Sequence, residues 1–377
     1  MLAAFVVFMM APTTFASPTI SLTIDGIKQN LAIAPVAEGG TALVSISTLA
    51  KAFGADLSWE QNKKQATFQT AAYKIVFTAG SNTCLVNGFG EALTAAPKAL
   101  KNDMIIPIKA LEAIGATTTF DSSKKIATII YFSKMAGTLK INGSTTVQPI
   151  AQAAADKLIS MNKNLSITVA GGGSGTGIKD AIAGTVNIGM SSREITADEM
   201  KSLSVYGVAN DGIAIIVHPK NPLTNLTKEQ AAKIFLGEIK NWKDVGGDNA
   251  PIMIMTRETG SGTRATLEEM ILNKKSIIET ATPFTSSTLI KKAVAKDKNA
   301  IGFDSIGFVD KTVKAVSLDG TTATAATVIG KSYGMGRQLY CVTKGQATGL
   351  AAIFIDYLRS KFCQDNIVAR EGYVKLG

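Results

Sequence analysis

The residues best suited to chemistry lie in one short stretch, Arg257 to Arg264, which contains two arginines, three hydroxyl side chains and two glycines. It directly precedes residues 265–272, whose composition predicts a helix. The stretch therefore lies where a helix N-terminus exposes unpaired backbone N–H groups and about half a positive charge. Arg257 adds a planar fork of N–H donors that matches a tetrahedral oxyanion. The pattern fits an anion site, and it also fits a capped helix with a flexible entry loop.

Further loops of similar composition follow the strands that we predict within residues 138–190. They are Asn142–Thr146, Gly171–Gly177 and Ser191–Glu194, each placed between a strand and a helix. Strand–loop–helix units in close succession predict a parallel α/β sheet, which binds ligands at the carboxyl ends of its strands. The glycine-rich loop lacks the Lys-Ser/Thr of a Walker A motif and the spacing of a dinucleotide fingerprint, so ATP and NAD are disfavoured. It instead predicts a nest of backbone N–H groups that can approach an anion closely.

A series of motifs in residues 137–377 carries a family resemblance. In chain order they are Asn142–Thr146 with Pro149, Gly171–Gly177, Asn187–Arg193, Ile216–Pro222, Ile234–Gly247, Arg257–Arg264, Ala300–Phe303 and Gln364–Val374. With them the chain resembles the phosphate-binding protein of bacterial phosphate ABC importers. The resemblance implies an α/β, two-lobed periplasmic-binding-protein fold of type II that closes on inorganic phosphate. It assigns residues 137–217 and 305–377 to the first lobe and residues 218–304 to the second, with hinges near 215–220 and 303–310.

The resemblance places phosphate-binding residues in all of these loops. They are Ser144 and Thr145 in the first loop, Ser174 and Gly175 in the second, Ser191, Ser192 and Arg193 in the third, and Arg257, Ser261, Gly262 and Thr263 in the fourth. Ser192 departs from the pattern of several family members, which carry an Asp at this position. The carboxylate of that Asp accepts the proton of hydrogen phosphate and repels sulfate. Phosphate is the predicted ligand, and another oxyanion is the alternative. Three roles are open for Arg264. It binds the anion, it pairs with a carboxylate, or it lies at the interface between the lobes.

The resemblance also implies what surrounds the site. It implies a membrane permease of a phosphate ABC importer as the partner, and neither enzymatic activity nor a cofactor or metal. A phosphatase is an alternative, but the chain lacks a metal constellation, a paired cysteine nucleophile and a histidine near the loops. A scaffold or adhesion protein attached to the cell wall is the other alternative.

The first part of the chain contains an internal duplication. Residues 42–67 and 103–128 match each other, with corresponding glycines at Gly54 and Gly115. Each copy predicts a short strand, an amphipathic helix ended by its glycine, and a two-stranded hairpin. Residues 17–133 thus form an α+β repeat module that resembles the copper amine oxidase N-terminal-like domain, common in exported proteins of Gram-positive bacteria. Despite that name, the resemblance implies neither copper nor oxidase chemistry. A spacer, a contact to cell-wall polymer and a plain folding unit are the roles left open.

The bulk composition describes a globular, basic chain of 377 residues, 46% hydrophobic and 18% charged, with a net charge of +10. Such a charge suits nucleic acid, an anionic wall or a small anion. Nucleic acid is disfavoured because the lysines are scattered and aromatic residues make up only 6% of the chain. Residues 2–10 are apolar and lead into Thr14-Phe15-Ala16. This predicts an export signal over residues 1–16 and an extracytoplasmic protein, secreted or associated with the cell wall.

Cysteine and histidine do not form a catalytic set in this sequence. His218, the only histidine, has no nucleophile–base pair beside it, and we expect a structural role. Cys84, Cys341 and Cys363 lack the spacing of metal ligands. A disulfide between Cys341 and Cys363 and a pair of buried thiols are both open. Trp242 is expected in the core of the second lobe.

Some carboxylates lie close in sequence to the loops or strands of the predicted site. Asp211, Glu258 and Asp304 are candidates for orienting arginines, and a surface position is the alternative for each. Neither interpretation is favoured by the sequence.

Overall fold

The chain folds into an N-terminal α+β module followed by a two-lobed α/β unit. This computed structural model describes residues 19–132 and 136–376. The predicted export signal, residues 1–16, lies outside those ranges. Within them, no helix has both the length and the apolar character needed to cross a membrane.

The module is built mainly from short antiparallel strands. Its elements are β1 (Ser21–Ile24), β2 (Ile27–Lys28), β3 (Val36–Glu38), β4 (Thr41–Ser45), α1 (Ile46–Phe53), β5 (Asp56–Glu60), β6 (Gln65–Gln69), β7 (Lys74–Thr78), β8 (Thr83–Val86), β9 (Phe89–Ala92), β10 (Lys98–Ala99), β11 (Met104–Pro107), β12 (Thr117–Asp121) and β13 (Ile126–Ile130). The strands pair in the orders β12-β13-β1-β2, β10-β11-β4-β3 and β5-β6-β7-β8-β9.

The predicted duplication is confirmed by the elements of the module. β4, α1 and the β5–β6 hairpin recur as β11, a 3-10 helix over residues 108–114 and the β12–β13 hairpin. Gly54 and Gly115 end the two helical segments with φ of 67° and 90°, a conformation that favours glycine. The helical segment of the second copy is a 3-10 helix, whereas that of the first copy is an α-helix. Ser45 caps α1 by accepting the Thr48 backbone N–H, whereas Pro107 stands at the equivalent position and has no such side-chain acceptor.

The two lobes alternate strands and helices. Their elements are β14 (Gly137–Gly143), α2 (Gln148–Met161), β15 (Leu165–Gly171), α3 (Ser174–Ala183), β16 (Ile188–Ser191), α4 (Ala197–Met200), β17 (Leu203–Val217), β18 (Asn225–Leu226), α5 (Lys228–Phe235), β19 (Met253–Arg257), α6 (Gly262–Met270), β20 (Thr282–Phe284), α7 (Ser287–Val294), β21 (Ala300–Ser305), β22 (Lys314–Leu318), α8 (Ala325–Ile329), β23 (Gly336–Lys344), α9 (Gly349–Arg359) and α10 (Lys361–Cys363), and a π-helical turn covers residues 364–368. The main sheet has the order β15-β14-β16-β23-β17-β21-β19-β20, and β22 joins it beside β17.

The long strand β17 connects the lobes. Its residues 203–212 pair with β23, and its residues 213–217 pair with β21 and β22. Ala209 and Leu339 pack in the core of the first lobe, whereas Ile213 and Met335 pack in the core of the second. The chain therefore crosses between the lobes at residues 209–213 and 335–339, and not at the predicted positions 215–220 and 303–310.

The core of the second lobe extends beyond residue 304, its predicted end. Val316, Leu318, Val328 and Tyr333 are buried in that core. The reason is long-range pairing, because β22 lies antiparallel to β17 and parallel to β18. The core of the second lobe thus draws on residues 213–335 and on Val374 of the C-terminal segment.

The module shares its hydrophobic core with the first lobe. The rings of Phe132 and Tyr357 meet edge to face with centroids 5.2 Å apart. The Ala71 backbone N–H donates to Asp356 Oδ1 at 2.8 Å. Gly54 packs so closely on α9 that a Cβ atom there would overlap the Asp356 carbonyl. These contacts make the module and the first lobe one packing unit.

The cysteines are free thiols. Cys84, Cys341 and Cys363 are buried, and burial raises the pKa of the Cys341 thiol to about 12. The disulfide that the sequence left open is therefore not formed in this structure. Trp242 lies in the core of the second lobe, as predicted, and its Nε1–H donates to the Asn299 carbonyl at 3.0 Å.

Candidate functional site

The candidate site lies where helix N-termini of both lobes face each other. Strands β14, β15 and β16 are parallel, so the loops that follow them meet at one edge of the sheet. In the second lobe β19 is parallel to β20 and β21, which places the loop before α6 at the opposing edge. The Gly175 backbone N–H crosses the cleft and donates to the Gly260 carbonyl at 3.0 Å. The lobes are closed on each other.

Three loops of the first lobe place hydroxyls at the starts of α2 and α3 or beside them. Ser144 Oγ accepts the Thr146 backbone N–H at 3.2 Å just before α2. Gly173, with φ of 86°, turns the chain into α3. Ser174 Oγ accepts the Ser192 backbone N–H at 3.0 Å and lies 3.3 Å from Ser192 Oγ. This lobe presents hydroxyls and helix N-termini, both of which favour an anion.

The second lobe contributes the N-terminus of α6. Ser261 caps this helix, and its Oγ accepts the Arg264 backbone N–H at 3.3 Å. Gly262 follows, and a Cβ atom there would lie 2.7 Å from Ser192 Oγ and closer still to Ser174 Oγ. A side chain at this position would displace the Ser174 and Ser192 hydroxyls, so glycine permits the close approach of the two lobes.

Arg257 is the charged residue in the wall of the site. Its side chain is only 1% exposed. Nε donates to the Phe284 carbonyl at 3.1 Å and Nη1 to Ser287 Oγ at 3.1 Å. Nη2 donates to the Thr285 carbonyl at 3.2 Å and, across the cleft, to Thr145 Oγ1 at 3.0 Å. These neutral acceptors hold the fork in place and leave its charge available to an anion.

The carboxylates near the site have different roles. Burial lowers the pKa of the Arg257 guanidinium, and Asp304 and Glu258 oppose that change. Asp304 is fully buried, which raises its pKa to about 6, although Arg257 pulls it down. Asp211 forms a buried ion pair with Arg337 at 2.8 Å, and Arg337 Nη1 donates to the Ser192 carbonyl at 2.8 Å. Asp211 therefore orients an arginine that the sequence interpretation did not include.

Residues from both lobes meet around one small polar cavity, which in this closed conformation leaves no room for a water molecule. The wall consists of Ser144, Thr145, Thr146, Gly173, Ser174, Ser192, Arg257, Ser261, Gly262 and Thr263. Thr146 and Gly173 were not in the predicted set. Both adjoin predicted residues within the same loops, and Thr146 Oγ1 lies 3.0 Å from Thr263 Oγ1 across the cleft.

Three residues of the predicted set lie outside the wall of this cavity. Arg193 forms a bidentate ion pair with Glu199, at 2.7 and 2.9 Å. Ser191 Oγ donates to the Arg193 carbonyl at 2.9 Å and so closes a local turn. The Gly175 N–H is used by Gly260, as described above. Arg264 donates to Glu268 at 2.8 Å and to the Arg257 carbonyl at 3.1 Å, so it braces the loop.

The described residues do not meet the requirements of a metal site. Among residues 19–132 and 136–376, no group of three or more His, Cys, Asp and Glu side chains is arranged to hold a metal ion. The module has no histidine in its sequence, so it does not provide the imidazole ligands that copper sites use.

Comparisons with known proteins match both parts of the chain. Residues 133–361 match the family described as PBP superfamily domain, and residues 23–130 match the copper amine oxidase N-terminal domain. The phosphate-binding protein PstS of Bacillus subtilis is 38% identical over 245 residues, which are 64% of this chain and 81% of that protein. PstS of Borreliella burgdorferi is 30% identical over 249 residues, 63% of this chain and 89% of that protein.

Solved structures agree with these relatives. A phosphate ABC transporter substrate-binding protein from Clostridium perfringens with bound phosphate has 37% identity and a TM-score of 0.61, covering 64% of this chain and all of that one. A phosphate transport receptor from Vibrio cholerae has 33% identity and a TM-score of 0.55, covering 63% of this chain and all of that one. These relatives are binding proteins and not enzymes. The chain therefore belongs to the PstS family within the PBP superfamily, with a copper amine oxidase N-terminal domain preceding the binding domain.

Proposed function

We propose that this protein is an extracytoplasmic solute-binding protein that captures inorganic phosphate between its two lobes and delivers it to the permease of an ABC importer. The observation that carries the proposal is the convergence of Arg257 and the N-termini of α2, α3 and α6 on one closed cavity lined by hydroxyls. Such donors match a tetrahedral oxyanion. The PstS relatives support phosphate as that oxyanion. The predicted export signal supports a place outside the cytoplasm.

We assign the phosphate contacts to the residues of the cavity wall. Phosphate oxygens would take over the Nη2 donor that Arg257 now gives to Thr145. The hydroxyls and backbone N–H groups of both lobes would supply further hydrogen bonds. Gly175, Ser191 and Arg193 shape the loops that carry these contacts. Ser192 offers a hydroxyl and no charge, so another oxyanion is the competing ligand.

Phosphate stabilises the closed state because it contacts both lobes at once. We place the hinge at residues 209–213 and 335–339, where the chain passes from one core to the other. Small-angle scattering of the full chain, with and without saturating phosphate, tests this closure. A more compact profile with phosphate is expected, and superimposable profiles would contradict the hinge.

The expected affinity follows from the size and charge of the ligand. Phosphate has five heavy atoms, and a ceiling of about 1.5 kcal/mol per atom corresponds to a micromolar Kd. Hydrogen bonds to a charged group contribute about 1.5–3 kcal/mol each, so a full set of donors can exceed that ceiling. Water leaves the cleft on closure, which strengthens each of these contacts.

Calorimetry of residues 17–377 with phosphate, sulfate, arsenate and molybdate tests the proposal. The whole chain is used because the module shares a core with the first lobe. We expect phosphate to bind at micromolar or lower concentration and sulfate to bind much more weakly. Absence of phosphate binding would overturn the proposal, and equal binding of sulfate would overturn the choice of phosphate.

For the module we propose a structural role as a partner of the first lobe, carried by the shared core. Contact with cell-wall polymer is one of the roles that the sequence left open, beside a spacer and a plain folding unit, and it stays a prediction. A pull-down of residues 17–377 with purified cell walls, in the presence and absence of phosphate, tests it. Retention that does not depend on phosphate would support the wall contact.

A further inference from the structure

Asp304 is a buried carboxylate that the proposed phosphate contacts do not use. It lies near the end of β21 and is 1% exposed. Oδ1 accepts the Ser305 backbone N–H at 2.9 Å, whereas Oδ2 has no hydrogen-bond partner among the described residues. Ser287 lies close to Asp304 without a well-aligned hydrogen bond to Oδ2. Burying a charged oxygen without a partner is costly, so a particular environment must compensate this carboxylate.

That environment is set by charged groups on several elements. Arg257 on β19 attracts Asp304 most strongly, and Arg337 on β23 contributes less. Tyr373, in the C-terminal segment, has its own pKa raised by burial and by the neighbouring carboxylates Asp211 and Asp304. Arg337 is already paired with Asp211 on β17. Asp304 is therefore left to balance the charge of Arg257.

The positive charge of Arg257 is balanced by carboxylates that do not contact it directly. All of its hydrogen bonds described above go to neutral oxygens, and no carboxylate of the described residues forms an ion pair with it within 4.0 Å. Glu258, the next residue, also attracts the Arg257 guanidinium. Its side chain is only half-buried and reaches water, unlike that of Asp304. In the protein without ligand, Asp304 is thus the buried counter-charge of the guanidinium.

An anion in the cavity competes for the same guanidinium. It brings negative charge beside Arg257 while Asp304 stays in place behind it, so two like charges would share one cation in a dry site. A like charge disfavours the ionised form of a carboxyl group. The unpartnered Oδ2 can take up a proton without breaking a hydrogen bond.

We propose that Asp304 couples phosphate capture to the uptake of one proton. The inference rests on the proposed function of the cavity as a phosphate site. The proton comes from solvent while the lobes are apart and adds to Asp304 Oδ2, which gives a neutral carboxylic acid; no bond of the phosphate changes. Phosphate then replaces Asp304 as the counter-charge of Arg257. Asp304 does not touch the ligand and acts as a positioning residue through Arg257.

The direction of the pH dependence follows from the burial of Asp304. Burial raises its pKa to about 6 in the protein without ligand, and the bound anion raises that pKa further. Below pH ~6 the group is already protonated, so binding takes up no proton there. Above this value binding requires uptake of a proton, and the affinity falls by up to about tenfold per pH unit. Protonated Asp304 therefore favours phosphate binding most at low pH.

The test compares residues 17–377 with the Asp304→Asn variant by titration calorimetry with inorganic phosphate. Experiments at about pH 6, 7 and 8, each in buffers with different heats of ionisation, give the number of protons bound. We expect the wild-type protein at pH ~8 to take up close to one proton more than the variant. We also expect its affinity to fall roughly 50-fold more than that of the variant between pH ~6 and ~8. The ionisation of phosphate itself is common to both proteins and cancels in this comparison.

Two controls keep the outcome clear. Glu258→Gln removes the water-exposed neighbour of Arg257 and should leave the proton uptake unchanged. Infrared difference spectra of the wild-type protein at pH ~8 should show a protonated carboxyl band when phosphate is added, a measurement that does not depend on whether the variant folds. Equal proton uptake in wild type and Asp304→Asn, or no carboxyl band, would overturn the coupling alone. Absence of phosphate binding by the wild-type protein at every pH would overturn the proposed function instead.

Discussion

At the scale of single residues, the guanidinium of Arg257 supplies the formal charge of the cavity wall. Its side chain reaches the site from the end of β19 and is held by acceptors on residues 284–287. Because these acceptors are neutral, the charge is not cancelled by an ion pair of its own lobe. A bound anion would gain a desolvated partner whose charge-assisted hydrogen bonds are roughly twice as strong as neutral ones.

Arg257→Ala is expected to lose at least ~2 kcal/mol of phosphate binding, because the anion would lose a desolvated charge partner. Titration calorimetry of the full chain measures the change. Arg193→Ala is the comparison, since the guanidinium of Arg193 is paired with Glu199 and lies outside the cavity wall. A larger loss for Arg193→Ala than for Arg257→Ala would contradict the assignment of both residues.

Gly262→Ala is expected to weaken phosphate binding by at least about tenfold, because the added methyl group would meet Ser174 Oγ and Ser192 Oγ as the lobes close. Gly334→Ala is the matched control, since a Cβ atom there has no neighbour within 4 Å. Calorimetry gives the affinities, and thermal unfolding without ligand shows whether each variant remains folded. Unchanged affinity in Gly262→Ala would mean that the lobes do not approach this closely when phosphate binds.

At the scale of elements, the ion pair between Arg337 and Asp211 joins the two strands that cross between the lobes. Arg337 is 4% exposed and Asp211 is not exposed at all. Asp211 Oδ1 also accepts the Ser305 hydroxyl at 2.7 Å, and Arg337 reaches the Ser192 carbonyl of the site. The geometry of the third loop is therefore tied to the hinge strands β17 and β23.

Removing one member of this buried pair should destabilise the protein strongly. For Arg337→Met we expect a loss of about 3–5 kcal/mol in the free energy of unfolding, because Asp211 would remain as an uncompensated buried charge. Urea unfolding of the full chain measures it. The double variant Arg337→Met with Asp211→Asn should recover part of the loss. Equal losses in the single and double variants would show that the charge pair is not the cause.

The elements also show where sequence reasoning succeeded and where it failed. The loops at the strand ends were predictable, since runs such as Gly171–Gly177 indicate a turn locally. The crossing points were not, because Asn210-Asp211-Gly212 indicates a turn locally, whereas β17 continues through it for 15 residues and its change of partner depends on distant strands. The position of Arg193 outside the cavity wall could have been anticipated. Thr196 and Glu199 have the spacing of a capping box, and that glutamate also pairs with the arginine.

At the scale of the whole molecule, the module and the first lobe meet around a buried carboxylate. Asp356 on α9 accepts the Ala71 N–H of the module, while its Oδ2 has no hydrogen-bond partner among the described residues. Burial raises the pKa of Asp356 from 3.8 to about 7. The interface therefore contains a carboxyl group that is more stable when it is protonated.

The sign of its effect on stability follows from that shift. A carboxyl group whose pKa is raised on folding stabilises the native state fully below its unfolded pKa, and this contribution is lost as pH rises toward about 7. The loss amounts to at most about 4 kcal/mol. Asp356→Asn should therefore be more stable than wild type at pH ~8 and equal to it near pH ~4, as measured by urea unfolding. Glu269→Gln, at an exposed position, is the control, and parallel pH profiles for Asp356→Asn and wild type would contradict the prediction.

The attachment of the module to a single lobe also has a practical consequence. Closure would bring lobe 2 nearer to a platform formed by the module and lobe 1, so a pair of fluorophores on the two bodies would report phosphate optically. Exposed positions such as Asn82 and Lys243 can carry introduced cysteines for labelling. The native thiols would stay unlabelled, because Cys84, Cys341 and Cys363 are buried and their pKa values are raised. The inert thiols and the rigid platform together make the chain a scaffold for a phosphate sensor that carries two chemical fluorophores.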